Sequence, residues 1–357
     1  ANSDATARNV ATPWKTITKA LQRINAGDTI VVLPGTYAES LQIQDADATL
    51  MAQTSGTVTI TPPANTQKGI SIAATGVTVD GFVVRGASTG ISAEAGASSV
   101  TVRNSAVIGA TMDAFRAFSL DGAVFENDVA AGAGGAGFAL RKATSVTVRN
   151  NLAYDNAEWG IHVDNTPVGA EVVPVSTGNL VAQNTTAFNT LGNVRLANAI
   201  GDVRDNVIAD TPGTGLAITT AGAVLLQNGF HQATTLLDPP SYLFCGGCTG
   251  NVVRDPRFVK PEGNDGQRGG DFWADDDFRL SQTSAGQASQ SDAVDFGSDT
   301  VSVLGITGST ATTGAADTGT ADLGFHYSAS SRALPAPGAT TTPTPTPSPT
   351  PTNTPTP

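Results

Sequence analysis

The chain has 357 residues, a formal net charge of −12 at pH 7 and only 14% charged residues, against 39 glycines and two cysteines. That balance excludes a nucleic-acid partner, which would need a concentrated basic surface, and no apolar run approaches the roughly 18 residues of a membrane span. Abundant Gly, Thr, Val, Asn and Ala predict short strands joined by tight turns, an all-β chain. The sequence begins at Ala1 rather than Met, as in a chain whose secretion signal has been removed, so an extracellular or cell-surface location is expected.

Residues 1–27 read as an N-terminal segment and a capping helix. Ile17, Ala20, Leu21 and Ile24 recur at the i, i+3, i+4, i+7 spacing of a short amphipathic helix, placed to cover the exposed first coil of whatever follows.

From 28 to 238 the chain repeats. The pentapeptide VTVRN occurs at Val100 to Asn104 and at Val146 to Asn150, two periods of 23 apart, with the degenerate copy AVFEN between them. The column holding Asn reads Gly81, Asn104, Asn127, Asn150, Asn184, Asp205 and Asn228, with steps of 23, 23, 23, 34, 21 and 23. A fixed period in this range means stacked units, none of which buries its apolar face alone. The residue two places earlier, from Val79 through Val102, Phe125 and Val148 to Ala182, Val203 and Leu226, is read as inward. The one between, such as Arg103, Glu126 and Arg149, is read as outward. Asn tolerates a left-handed backbone and hydrogen-bonds its equivalents above and below, so it is read as a structural ladder at a turn. About 11 residues after the Asn a second strand places Phe115, Phe138, Ile161, Val194 and Leu216 inward. Coils of about 22–23 residues, each strand pairing with its equivalent in the next, make a parallel β-helix.

At this point the chain resembles the right-handed parallel β-helix proteins of the pectate-lyase-like superfamily, over roughly residues 12 to 327. The opening TPWKTITKALQRINAGDTIVVLPGTYAES resembles the first coil of secreted members. The later DPRFV, DFRL and ADLGFHY resemble a C-terminal segment of surface-anchored bacterial ones. The resemblance implies the fold, with 239–334 as an irregular or β region closing the solenoid. It does not imply one reaction. The segment GTYAE at 35–39 matches a short motif of pectin methylesterases, but their catalytic aspartate motifs are missing, as are the Arg and Pro motif of pectate lyases and the aspartate motifs of polygalacturonases.

Four features bear on function. About 11 extra residues fall at 165–178, and insertions in a solenoid map to loops on one face. On the outer side of the second strand, Arg116, His162 and Arg195 fall near one column, with Arg141, Lys142, Glu158 and Asp164 beside them. This set suits an anionic sugar, but an exposed ion-pair network is the simpler reading. Asp271, Asp275, Asp276 and Asp277 offer oxygen ligands for Ca²⁺ without EF-hand spacing, and a plain solvated loop is the simpler reading; otherwise no cofactor is expected. Cys245 and Cys248 read as a small loop disulfide, two thiolates being half of a zinc shell.

The tail at 335–357 alternates Thr and Pro, so it is expected to be extended. Thr344, Thr346, Ser348, Thr350, Thr352, Thr354 and Thr356 are its candidate O-glycosylation positions.

Two readings of function follow. The favoured one is a non-catalytic extracellular structural protein, self-associating into a fibre or cell-surface assembly through its tail. The alternative is a secreted polysaccharide lyase or glycan-binding protein that uses the Arg116 to Arg195 face. Glycans, covalent or bound, are the expected partners in both.

Overall fold

The computed structural model describes residues 13–167, 173–240, 247–328 and 334. The chain enters through a helix at Ile17–Leu21. Its unpaired amides are taken up locally: the Thr16 hydroxyl accepts from Lys19 N at 3.2 Å, and the Glu39 carboxylate accepts from Ile17 N and Thr18 N at 2.9 and 2.8 Å. The helix stops before Ile24, which nonetheless packs on the core with Ile17, Ala20 and Leu21.

Three strands then recur in each coil of a parallel β-helix. The first forms a sheet of nine strands, from Thr29–Val32 to Val224–Leu226, each paired in parallel with its equivalent one coil on. The second column, for example Ala106–Ile108 and Val129–Ala131, and the third, for example Phe115–Phe118 and Phe138–Arg141, stack in the same way. They join into one 17-stranded sheet because Val207–Ile218 and Gly229–Asp238 run around the corner between them. Alternation sets the inner face: in Ser98–Arg103, Val100 and Val102 are buried while Arg103 is exposed. The column expected inward on a second strand, Phe115, Phe138, Ile161, Val194 and Leu216, lies on the third, because a short strand such as Ala106–Ile108 intervenes; it is in register and fully buried. Phe115 and Phe138 stack with centroids 4.8 Å apart, and Phe125 meets both edge-on. Such pairs add about 0.5–1.5 kcal/mol beyond the area they bury.

The Asn column needs correction. The first-sheet register pairs Val148 with Val181, Val181 with Val203 and Val203 with Leu225. So the column beginning Asn104, Asn127 and Asn150 continues through Gln183, Asp205 and Gln227, all six left-handed with φ between 51° and 58°. Asn184 and Asn228 belong one place further on, in an inward column of Asp128, Asn151, Asn184, Asn206, Asn228 and Asn251. There each side-chain oxygen accepts the backbone amide of the preceding coil, as from Asn184 N to Asn206 Oδ1 at 2.9 Å. The amide groups of Asn151, Asn184, Asn206 and Asn228 also donate to the next Asn oxygen, at 2.8–3.1 Å. Asn184 is therefore a buried rung, like Asn228. The outer column turns the chain; Asn150 and Asp205 also hold later residues. Ala182 and Leu226 likewise give up the inward position to Val181 and Leu225.

After Asp255 the chain runs back along the side of the solenoid. The second-strand face turned outward is apolar there, with Val83, Ala106, Ile108, Val129, Ala131, Leu152, Tyr154 and Ala187. Trp273, Phe278 and Phe325 bury against it. Leu280, Ala293 and Leu323 cover Val207 and Ala209. The ADLGFHY stretch crosses successive coils: Gly324 N donates to Asp205 O, Phe325 N to Thr185 Oγ1 at 2.9 Å, and His326 N to Asn150 Oδ1 at 2.6 Å. Gly324 has φ +86°, and a Cβ there would come 2.6 Å from Thr185 Oγ1, so only glycine fits. Residues 335–357, with the candidate O-glycosylation positions, lie outside the described residues.

Candidate functional site

The third-strand face turned outward carries the cluster expected from the sequence. Register places Arg116 opposite Ala139, Ala139 opposite His162 and His162 opposite Arg195, so these four form one column. At about 4.8 Å per coil, Arg116 and Arg195 stand roughly 14 Å apart with His162 between them. A second column on the same face holds Phe118, Arg141 and Asp164. Lys142 follows at the corner in a left-handed conformation, its amide bonded to Asp164 O at 3.0 Å.

The arginines divide into two kinds. Arg141 is tied to carboxylates, 3.6 Å from Asp113 and 3.9 Å from Glu158. Arg116 and Arg195 have no carboxylate within 4 Å among the described residues and lie instead over aromatic rings. The Arg116 guanidinium is 4.8 Å from the Phe118 ring, and that of Arg195 is 5.8 Å from Trp159. Asp113, Phe118 and Trp159 were not singled out in the sequence. Trp159 stands three residues before His162, and Phe118 two after Arg116, so period-two spacing alone places only Phe118 on the outer face.

His162 is the unusual member. It is 5% exposed, and neither ring nitrogen has a hydrogen-bond partner. The nearest carboxylate oxygen, Asp164 Oδ2, is 3.6 Å from Nε2. Burial depresses the imidazole, Asp164 works against that, and the charges of Arg195 and Arg141 add to the depression, leaving it at about 4. The ring is thus neutral near pH 7, a buried donor and acceptor with nothing to bond. Asp164 itself is lowered: burial opposes this, but bonds from Thr166, whose amide is 2.9 Å away, outweigh it.

The same face continues toward the N-terminus, where Lys68 pairs with Glu94 and the hydroxyls of Ser71 and Ser92 bond the same carboxylate. The insertion leaves the third strand immediately after Asp164, beginning at Asn165; its residues 168–172 lie outside the described residues. The register adds ten residues there, Arg149 pairing with Ala182 at a step of 33 where Glu126 and Arg149 are 23 apart.

The four carboxylates named as candidate Ca²⁺ ligands each have a different partner. Asp271 Oδ1 lies 3.0 Å from Arg85 Nη1, and Asp275 accepts from Asn264 N at 2.7 Å. Asp276 accepts from Tyr154 Oη at 2.7 Å and from Gly269 N at 2.6 Å, and Asp277 pairs with Arg279 at 2.6 Å. Asp271 and Asp276 reach the solenoid, at Arg85 and Tyr154, whereas Asp275 and Asp277 bond within the returning segment itself. Among the described residues no three metal-binding side chains cluster. Cys248 is disulfide-bonded, and Cys245 lies outside the described residues. No described helix is long and apolar enough to cross a membrane.

Residues 68–232 match the family model described as the right handed beta helix region. No curated protein matches the sequence. Among solved structures, pectate lyase Pel9A is similar at 17% identity, covering 84% of this chain and 90% of its own, with a TM-score of 0.50. The Azotobacter vinelandii mannuronan C-5 epimerase AlgE4 A-module gives 18%, 57%, 69% and 0.42 for the same measures, and a rhamnogalacturonan lyase 13%, 71%, 83% and 0.41. At such identities the likeness is one of fold.

Proposed function

We propose that this right-handed parallel β-helix protein is an extracellular binder of acidic polysaccharide, with the third-strand outer face as its binding surface. One observation carries the reading: among the described residues His162 is buried and unbonded, and the two arginines flanking it in its column have no carboxylate within 4 Å. Buried polar groups are almost always satisfied, and a sugar carboxylate with its ring hydroxyls supplies both what His162 lacks and what a guanidinium fork binds best. Phe118, partly exposed beside Arg116, offers flat apolar surface for a sugar ring, while the buried Trp159 ring supports Arg195. The overall charge of −12 repels a polyanion at long range, so the attraction is local to this face. The disulfide at Cys248 fits an oxidising compartment. The fibre reading rests on a tail outside the described residues, and the geometry of this face favours the glycan reading over it.

The test is a panel of uronic-acid polymers offered to the purified protein and to Arg195→Ala. Retention of the native protein by at least one polymer, weakened about tenfold or more in the variant, is the expected outcome. Absence of retention by every polymer would remove the reading. Ultraviolet absorbance of an unsaturated uronate, followed in the same samples, reports whether binding is accompanied by eliminative cleavage.

A further inference from the structure

We propose that an acidic sugar is taken up at this face together with one proton, which lodges on His162, so that binding tightens as the solution becomes mildly acidic. The inference rests on the glycan reading above and concerns how that same site is regulated.

The groups facing His162 come from three strands. Its own strand gives Asp164 at 3.6 Å and the Trp159 ring, 6.2 Å away between centroids. The preceding strand gives Ala139 directly opposite, and Arg141, which also holds Asp113 and Glu158. The following strand gives Arg195. In the free protein two guanidinium groups and the loss of solvent keep the ring neutral, and only Asp164 pulls toward the charged form.

An arriving carboxylate reverses this balance. It compensates the charge of Arg195, and of Arg141 where it reaches that far. Neither ring nitrogen is exposed in the free protein, so the carboxylate becomes an acceptor for one of them only as the site opens to admit it. Both changes favour the imidazolium, whose two N–H groups then find acceptors in the sugar and in Asp164. The proton comes from the buffer, and no bond other than N–H is made. The free ring already holds its proton below about pH 4, so the coupling operates between that value and the raised one in the complex. Within that window linkage allows at most about a tenfold gain in affinity per pH unit.

The experiment is isothermal titration of the full chain with oligogalacturonate and with oligomannuronate, from about pH 7 to about pH 5, in two buffers of different ionisation heat. Expected are a buffer-dependent heat corresponding to uptake of up to one proton and a dissociation constant that falls with pH. His162→Gln, with an unchanged circular dichroism melt, should bind with an affinity that no longer follows pH. Binding without proton uptake, or a pH dependence that survives in His162→Gln, would overturn this inference and leave the glycan reading standing. Failure of both oligomers to bind at any pH would instead count against the glycan reading beneath it.

Discussion

Two outward faces of the same solenoid have opposite fates. The second-strand face is apolar from Val83 to Ala209 and is sealed by the returning C-terminal segment. The third-strand face, one corner away, carries Arg116 and Arg195, both partly exposed, with His162 buried between them. The coils are alike in backbone, so the difference lies in what points out of each strand. Where a triplet such as Leu152–Tyr154 is buried on every residue, the chain supplies its own cover; where charge interrupts the strand, the surface is left for something else.

The largest expected contrast is in stability. Phe278 is buried between Tyr154 and Phe258 on the sealed face. Phe278→Ala should cost about 3–5 kcal/mol, whereas Arg116→Ala on the open face should stay within about 0.5 kcal/mol. Urea denaturation midpoints decide it, and equal losses would mean that the two faces do not differ as described.

A pH effect of intermediate size is expected on the sealed side. Asp276 sits between the returning segment and Tyr154, facing Asp275 and Asp265 as well. Burial first, and those two charges, raise it to about 6 against the bonds from Tyr154 and Gly269. An unfolded aspartate titrates near 3.9. Its folded value being higher, its contribution to docking is present in full below that point and is lost as pH rises through about 6, a change of roughly 1–3 kcal/mol. Hydrogen-exchange protection in 269–280, corrected for intrinsic base catalysis at each pH, should therefore fall from mildly acidic to neutral pH, and Asp276→Asn should flatten that fall. Asp205, Asp210 and Asp322 are raised in the same sense, each mainly by burial, and add to the slope.

The smallest effect concerns the corner joining the first and second strands. Asp128 occupies a rung that is Asn in the coils from Asn151 to Asn251. Burial raises its carboxyl well above the ordinary range, and one of its oxygens is unpartnered. Asp128→Asn should restore the missing donor and raise stability by about 1 kcal/mol at neutral pH, read as a higher melting temperature. A fall would mean that the carboxylate has a partner of its own.

The period of 23 and the inward columns were legible because burial repeats with the coil. The Asn ladder was misplaced by one position at a definite spot. Asn150 and Asn151 are adjacent, so one coil fits both columns, and the insertion that follows erased the count. The returning segment was legible as a C-terminal region in DPRFV, DFRL and ADLGFHY, but the face it covers was not, because triplets buried on every residue also fit any buried strand. The charged column was legible because register follows spacing. The isolation of His162 was not, since it depends on which neighbours fail to reach the ring.

The returning segment also alters how the stack behaves as a whole. In a simple solenoid each coil is held only by its neighbours, and disorder can start at any interface and spread. Here one stretch of chain ties the coil of Arg85 to that of Asp205, through Asp271 at one end and Ser298 at the other. It acts as a splint: the coils it spans share a common fate, while those before Phe82 retain the local, independent breathing of an unsupported repeat.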